Sequence, residues 1–245
     1  MIQIKNLCVQ VWTKTILQDI NMTFEIGKNY LVLWKNGSGK SSLSSFLMGN
    51  PVFEYVSGEV EIDGKNLLEM SVDERSKAGL FLSFQNVPEI EGIYLKDYLR
   101  IIYNSMLKTH FPETQPLTPF VFKRFIKKHL EELKIPENFL DRDLNVWFSG
   151  WEKRKIEMLQ AKLLWPKYII LDEIDSWLDL DAFKLVTQLI TQMNTPQNSI
   201  IVITHHFKIA QDIQFNTVYV LKDTKLERQW WIELIDEILQ NGFWD

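Results

Sequence analysis

Glycine is scarce in this chain, ten among 245 residues, roughly 4% where about 7% is usual. Any fold that needs tight turns or close backbone approaches therefore has few residues to make them with. Cysteine is scarcer. Cys8 stands alone, which excludes an internal disulfide or a multi-cysteine metal site within one chain, and it reads most simply as a core residue. No apolar run approaches the ~20 residues of a membrane span, and the opening MIQIKNLCVQV lacks a signal-peptide pattern, so a cytoplasmic protein without membrane insertion is expected. An excess of positive charge is also missing. A net charge of −5 and a pI near 5.5 give no electrostatic reason to expect binding to nucleic acid or a membrane surface, so partners are expected to be proteins.

What is present is a large apolar fraction, 46% against 24% charged, ordinary for a globular protein of one large domain, here read as two-lobed. Tryptophan is abundant, at nine residues.

The stretch from Leu31 to Ser42, LVLWKNGSGKSS, reads as a buried strand, a phosphate-holding loop and a helix. Gly39, Lys40 and Ser41 fill the last three defined positions of G-x-x-x-x-G-K-[ST], and Trp34 stands where the first glycine belongs. Backbone N–H groups from Asn36, Gly37 and Ser38 through to Ser41 and Ser42 would curl around a phosphate at the positive end of the helix. Lys40 would reach the β- and γ-phosphates, and the Ser41 hydroxyl would ligate Mg²⁺. The alternative is a Gly/Ser-rich turn before an ordinary helix, which the flanking apolar residues argue against.

Residues 2–11 and 16–26 alternate as strands of an antiparallel flank, and Gly58 to Ile62 reads as a short strand ending in the turn signal Asp63-Gly64. Ser71 with Glu74 is a capping-box pattern. Ala78 to Phe84 reads as a buried strand delivering Gln85. From about 93 to 160 the pattern becomes helical: Leu95 to Leu107 has helical spacing, and Thr118-Pro119 opens a helix expected to bury Phe122, Phe125, Ile126, Leu130 and Leu133. Strands resume at Tyr168 to Asp172 and Ser199 to Thr204. The expected fold is α/β, a mixed sheet with an antiparallel flank and an inserted helical subdomain, its core spanning 1–92 and 161–245.

Asp172 and Glu173 end an apolar strand, where one carboxylate can hold Mg²⁺ and the next can polarise an attacking water. Gln85 would complete the Mg²⁺ shell, and His205, after IIVIT, would reach the γ-phosphate or the water. His206, His110 and His129 read as non-functional. FSGWEKRK at 148–155 then resembles the signature motif of ATP-binding-cassette proteins. With it, the phosphate loop, Gln85, the Asp-Glu strand, SWLD at 176–179 and His205 occur in cassette order over nearly the whole chain. The resemblance implies that two copies sandwich two ATP molecules, each completing the other's site with Ser149, Gly150, Trp151 and Glu152, and that Ser176 and Asp179 belong to the D-loop. Residues 49–93, 148–160 and 171–182 further resemble the ATPase subunit of SUF-type iron–sulfur cluster assembly. That implies scaffold partners of the SufB and SufD type, with ATP and Mg²⁺ as ligands. A transporter ATPase subunit remains the alternative of the same fold.

Laid against that pattern, Trp34, Trp147, Trp151 and Trp177 stand at expected glycines, and Trp230-Trp231 stands where relatives tend to have a glycine pair. Trp12, Trp165 and Trp244 are ambiguous, and Trp12 could instead stack on adenine. Taken literally, an indole at 34 crowds the turn into the phosphate loop and one at 151 blocks a close γ-phosphate approach, which would leave a non-hydrolysing scaffold. Decay would scatter replacements over many residue types and would not spare Lys40, Asp172 and Glu173. The preferred reading is a UGA codon that the source organism translates as glycine.

Overall fold

Alternating burial makes the first two strands. Ile2, Ile4, Leu7 and Val9 are buried along β1 (Ile2–Val11), and Leu17, Ile20, Met22 and Phe24 along β2 (Lys14–Phe24), so each presents one face to a core. They pair antiparallel and turn at Trp12 and Thr13. The computed structural model describes residues 1–34, 42–84, 86–174, 180–205 and 209–231. β3 (Tyr30–Trp34) is buried throughout, as a strand covered on both faces must be. Helix α1 (Ser42–Leu47) packs Leu43, Phe46 and Leu47 into the same core. The buried Arg75 guanidinium donates through Nη1 to the carbonyls of Phe46 and Leu47 at 2.9 Å each, satisfying groups that the end of α1 leaves open.

β4 (Glu54–Ile62) pairs with β1 and, through Asp63-Gly64, with β5 (Lys65–Asn66). Both turn residues have positive φ, 50° and 77°, as a type I′ turn requires. The strand starts four residues before the expected Gly58, because Tyr55 and Glu54 continue the ladder opposite Val9 and Gln10. Gly58 itself lies where the register shifts, at φ 103°, and a Cβ there would stand 2.5 Å from the Asn6 carbonyl oxygen. Only glycine fits. Helix α2 (Val72–Lys77) carries the expected capping box of Ser71 and Glu74, and β6 (Leu80–Ser83) is buried at each position.

Residues 86–166 form a separate unit from residues 1–85 with 167–245. It opens on β7 (Ile90–Tyr94), exposed along its length. Helices α3 (Leu95–His110) and α4 (Pro119–Glu132) follow, and α4 is capped by Thr118 with proline at its first position. Leu99, Tyr103, Phe122, Ile126 and Leu130 are buried. Phe125, expected in that core, is half-buried at the rim of an aromatic cluster, its ring 4.8 Å from that of Tyr103. β8 (Asp143–Leu144) pairs antiparallel with β7, and α5 (Gly150–Leu164) closes the unit.

The first unit resumes with β9 (Tyr168–Asp172), α6 (Leu180–Met193), β10 (Ser199–Thr204), α7 (Ile209–Asp212), β11 (Thr217–Lys222) and β12 (Lys225–Trp231). Its main sheet has the order β12-β11-β3-β10-β9-β6, parallel except at the β11–β12 hairpin, and its second sheet is β2-β1-β4-β5, antiparallel. This is the mixed α/β arrangement with an antiparallel flank. Among the described residues, no helix is long and apolar enough to cross a membrane.

Candidate active site

Parallel pairing brings several strand ends to one edge of the main sheet. Leu33 lies opposite Thr204, Ile203 opposite Asp172, and Leu171 opposite Ser83. Such an edge, beyond the carboxyl ends of the strands, is where open α/β sheets bind ligands. Asp172 and Glu173 sit there, 2% and 3% exposed.

Glu173 adopts a left-handed backbone, φ 47°, and its N–H donates to the Ile203 carbonyl at 2.8 Å. The turn is steep enough to carry the chain off β9 while still tied to β10. A non-glycine residue held in this region is strained, and such strain concentrates at functional sites. His205 leaves β10 alongside it, with Nδ1 3.3 Å from Glu173 Oε1. The pair forms because adjacent parallel strands end together. A carboxylate touching an imidazole can take and return a proton at a bound water.

Asp172 is held from a different direction. Ser44, in α1, donates through Oγ to Asp172 Oδ2 at 2.7 Å, wholly buried. Sequence reasoning missed Ser44, whose only signal is its place three residues after Ser41 in the sequence. Ser42, expected to help hold phosphate, is buried in the same helix. Of the other expected site residues, Asn36, Gly37, Ser38, Gly39, Lys40, Ser41, Gln85, Ser176 and Asp179 lie outside the described residues, as do Trp177 and His206.

In the second unit, Ser149 is the N-cap of α5, with extended φ and ψ of −62° and 161°. Its hydroxyl oxygen accepts from the Glu152 N–H at 3.3 Å, and its own N–H donates to Glu152 Oε2 at 2.7 Å. This capping box commits Glu152 to the helix start. Among the described residues the Ser149 hydroxyl hydrogen has no acceptor, and it lies beside the open N–H groups of the first turn, a setting suited to an anion. Gly150 opens onto space, with no described atom within 4 Å of where a Cβ would stand. Trp151 sits in that first turn, half-buried, with Lys155 Nζ 5.4 Å from its ring centre.

His129 packs its ring 5.2 Å from Phe125, and burial lowers its pKa despite the nearby Glu132. His110 lies among aromatic rings, 6.1 Å from Trp165. Both belong to the second unit.

Trp34 ends β3, 1% exposed, and its indole N–H has no acceptor among the described residues. A buried donor left unpaired costs about 1–3 kcal/mol. Trp147 has a left-handed φ of 59° and is 88% exposed.

Among the described residues no group of three or more His, Cys, Asp or Glu could hold a metal ion. Mg²⁺ does not ask for one. It is commonly held by one or two carboxylates together with substrate phosphates and waters, and the buried, hydroxyl-anchored Asp172 offers such a hard oxygen donor.

A family model described as "ABC transporter" matches residues 17–176. The chain is 38% identical over 244 residues to a "Probable ATP-dependent transporter ycf16" of Cyanophora paradoxa, covering 99% of this chain and 93% of that protein. It is 35% identical to the "Probable ATP-dependent transporter SufC" of Escherichia coli, covering 99% and 97%. To the "Iron-sulfur cluster assembly protein SufC" of Plasmodium berghei it is 33% identical, covering 94% of this chain and 62% of that one. Among solved structures, a dimeric bacterial ABC transporter cassette superposes with a TM-score of 0.76 at 20% identity, over 95% of this chain and 99% of the other.

Proposed function

Because the chain belongs to the ATP-binding-cassette ATPase family, we propose that it is the ATP-hydrolysing subunit of a SUF-type iron–sulfur cluster assembly complex. The observation that carries the hydrolytic part is the meeting of Glu173 and His205 at 3.3 Å on neighbouring strand ends, beside the buried Asp172. Asn36 to Ser42 cradle the phosphates. Glu173 accepts a proton from the attacking water and His205 holds the water or the γ-phosphate in place. Asp172, Ser41 and Gln85 would hold Mg²⁺, which when bound supplies charge neutralisation on the phosphates.

Ser149, Gly150, residue 151 and Glu152 complete the site of a second copy, with Ser176 and Asp179 at the contact between copies. The relatives named SufC support the SUF assignment, with scaffold proteins of the SufB and SufD type as partners and ATP-driven pairing of two copies as the means of remodelling them. A nucleotide-binding core of 1–92 and 161–245 with a helical part at 93–160 is the corresponding division of labour. With Cys8 as its single cysteine, the subunit drives assembly and does not itself carry the cluster.

Hydrolysis is proposed for the protein with glycine at 34, 147, 151 and 177. Paired with its scaffold, that protein should lose about 10²- to 10⁴-fold in kcat on Glu173→Gln while retaining ATP binding. Unchanged turnover in the variant would overturn the assignment. A transporter subunit is the second reading, favoured by relatives named as transporters; co-purification with a membrane protein in place of soluble scaffolds would select it. If tryptophan is natural at 34 and 151, the bulk of the Trp34 indole, buried at the end of β3, favours a scaffold that binds nucleotide without turnover.

A further inference from the structure

Backbone conformation separates the tryptophans from the other aromatic residues. Among the described residues, Trp12, Trp147 and Trp165 have φ of 60°, 59° and 45°, and no phenylalanine or tyrosine has a positive φ, although the chain holds 15 and 7 of them. The left-handed region is sterically costly for any residue with a Cβ, and glycine enters it freely. Of the eight other non-glycine residues there, Asn6, Asp19, Asp63, Asn145 and Asp223 are of the short polar type that tolerates it, and Lys134, Glu173 and Thr224 are the remaining three. A large aromatic side chain gains no such relief.

Two of these positions are where turn chemistry asks for glycine by name. Trp12 is the first central residue of the two-residue β1–β2 turn, closed by the pairing of Val11 with Lys14, and Thr13 does not share its positive φ. A positive φ at the first central position alone is the requirement of a type II′ turn, which takes glycine there. Trp165 follows α5 with φ 45° and ψ 52° and precedes Pro166. A left-handed residue at a helix end with proline next is the usual place of a terminating glycine. Packing does not compensate at Trp12, which is 81% exposed. Trp165 does touch the Tyr103, His110 and Phe111 rings, but at its edge and 42% exposed.

We infer that residues 12 and 165 of the native protein are glycine, alongside 34, 147, 151 and 177. The inference shares its codon reassignment with the proposed ATPase but rests on a separate observation, the backbone. It also bears on the nucleotide site. With glycine at 12, no aromatic ring at that turn stacks on the base, and residue 12 contributes nothing to choosing adenine.

Peptide mass spectrometry of the protein from its source organism tests this through the tryptic peptides 6–14, 29–35, 143–153 and 163–167. Glycine at 12 and 165 is expected together with glycine at 34 and 151. Tryptophan at 12 or 165 beside glycine at 34 and 151 overturns the inference and leaves the proposed ATPase standing, whereas tryptophan at all four removes both. A binding readout accompanies it in recombinant protein carrying glycine at 34, 147, 151 and 177. Trp12→Gly should leave ATP affinity within about twofold, because a base–aromatic stack is worth about tenfold or more. A loss of that larger size would make residue 12 an adenine platform and overturn the inference.

Discussion

If Asp172 holds Mg²⁺ as proposed, its carboxylate must point where a cation and a phosphate can meet it, and the hydroxyl of Ser44 helps to fix that direction. The bond from Ser44 Oγ to Asp172 Oδ2 is 2.7 Å and buried, so it joins α1 to the end of β9. Outer hydrogen bonds of this kind orient a metal's carboxylate, and their loss typically weakens metal affinity or activity by about 10–100-fold. Ser44→Ala should therefore raise the Mg²⁺ concentration needed for half-maximal ATPase activity by about that factor, with Ser44→Thr restoring most of it. A Mg²⁺ titration of turnover decides, and an unchanged midpoint would show that Asp172 needs no such anchor. The place of Asp172, Glu173 and His205 at strand ends was legible in the sequence because acids and a histidine end or directly follow apolar strand runs. Ser44 was not, since a serine inside a short buried helix reads as filler until the sheet brings β9 beneath it.

Among elements, the β4–β5 turn does more than reverse the chain. Asp63 accepts from the Met1 amino group at 2.6 Å, Lys167 Nζ at 2.6 Å and the Tyr168 hydroxyl at 2.9 Å, tying the starts of β1 and β9 to one hairpin. Burial alone would raise its pKa, but the hydrogen bond from Lys167, followed by those from the amino group and Tyr168, outweighs it and lowers the pKa from 3.8 to about 2. A carboxyl depressed in the folded state contributes stability above its unfolded pKa and loses it as pH falls through the folded one. The loss should thus fall between about pH 4 and pH 2 and amount to about 1 kcal/mol after discounting for solvent at this partly exposed side chain. Urea unfolding across that range should show it, and Asp63→Asn should flatten that part of the profile; an equally steep profile in the variant would assign the acid loss to other groups. The turn itself was visible as Asp-Gly, and the capping box of α2 was visible as Ser71 with Glu74 three residues on, whereas the box of Ser149 and Glu152 emerged with α5. The first residues of β4 and all of β7 were hidden, because exposed strands that pair along one edge carry no burial alternation to read.

For the whole molecule, the question is whether a site draws its parts from one chain or two. Glu173 and Ser149 belong to different units of the fold, and that Ser149 serves the other copy is implied by the family resemblance alone. In a two-fold symmetric pair, each site would join one copy's Glu173 to the other copy's Ser149. Two dead variants of the glycine-bearing protein, Glu173→Gln and Ser149→Arg, should then rescue each other. Mixed pairs would contain one intact site, made from the Ser149→Arg copy's Glu173 and the Glu173→Gln copy's Ser149, while the other site carries both defects. With random pairing, half the dimers are mixed and half their sites are intact, so about a quarter of the parental ATPase activity should return on mixing. If each site used the Ser149 of its own chain, mixing would return nothing above the two variants measured alone. Rescue is therefore the outcome that only a shared site allows, and it reads the same whichever scaffold the pair drives.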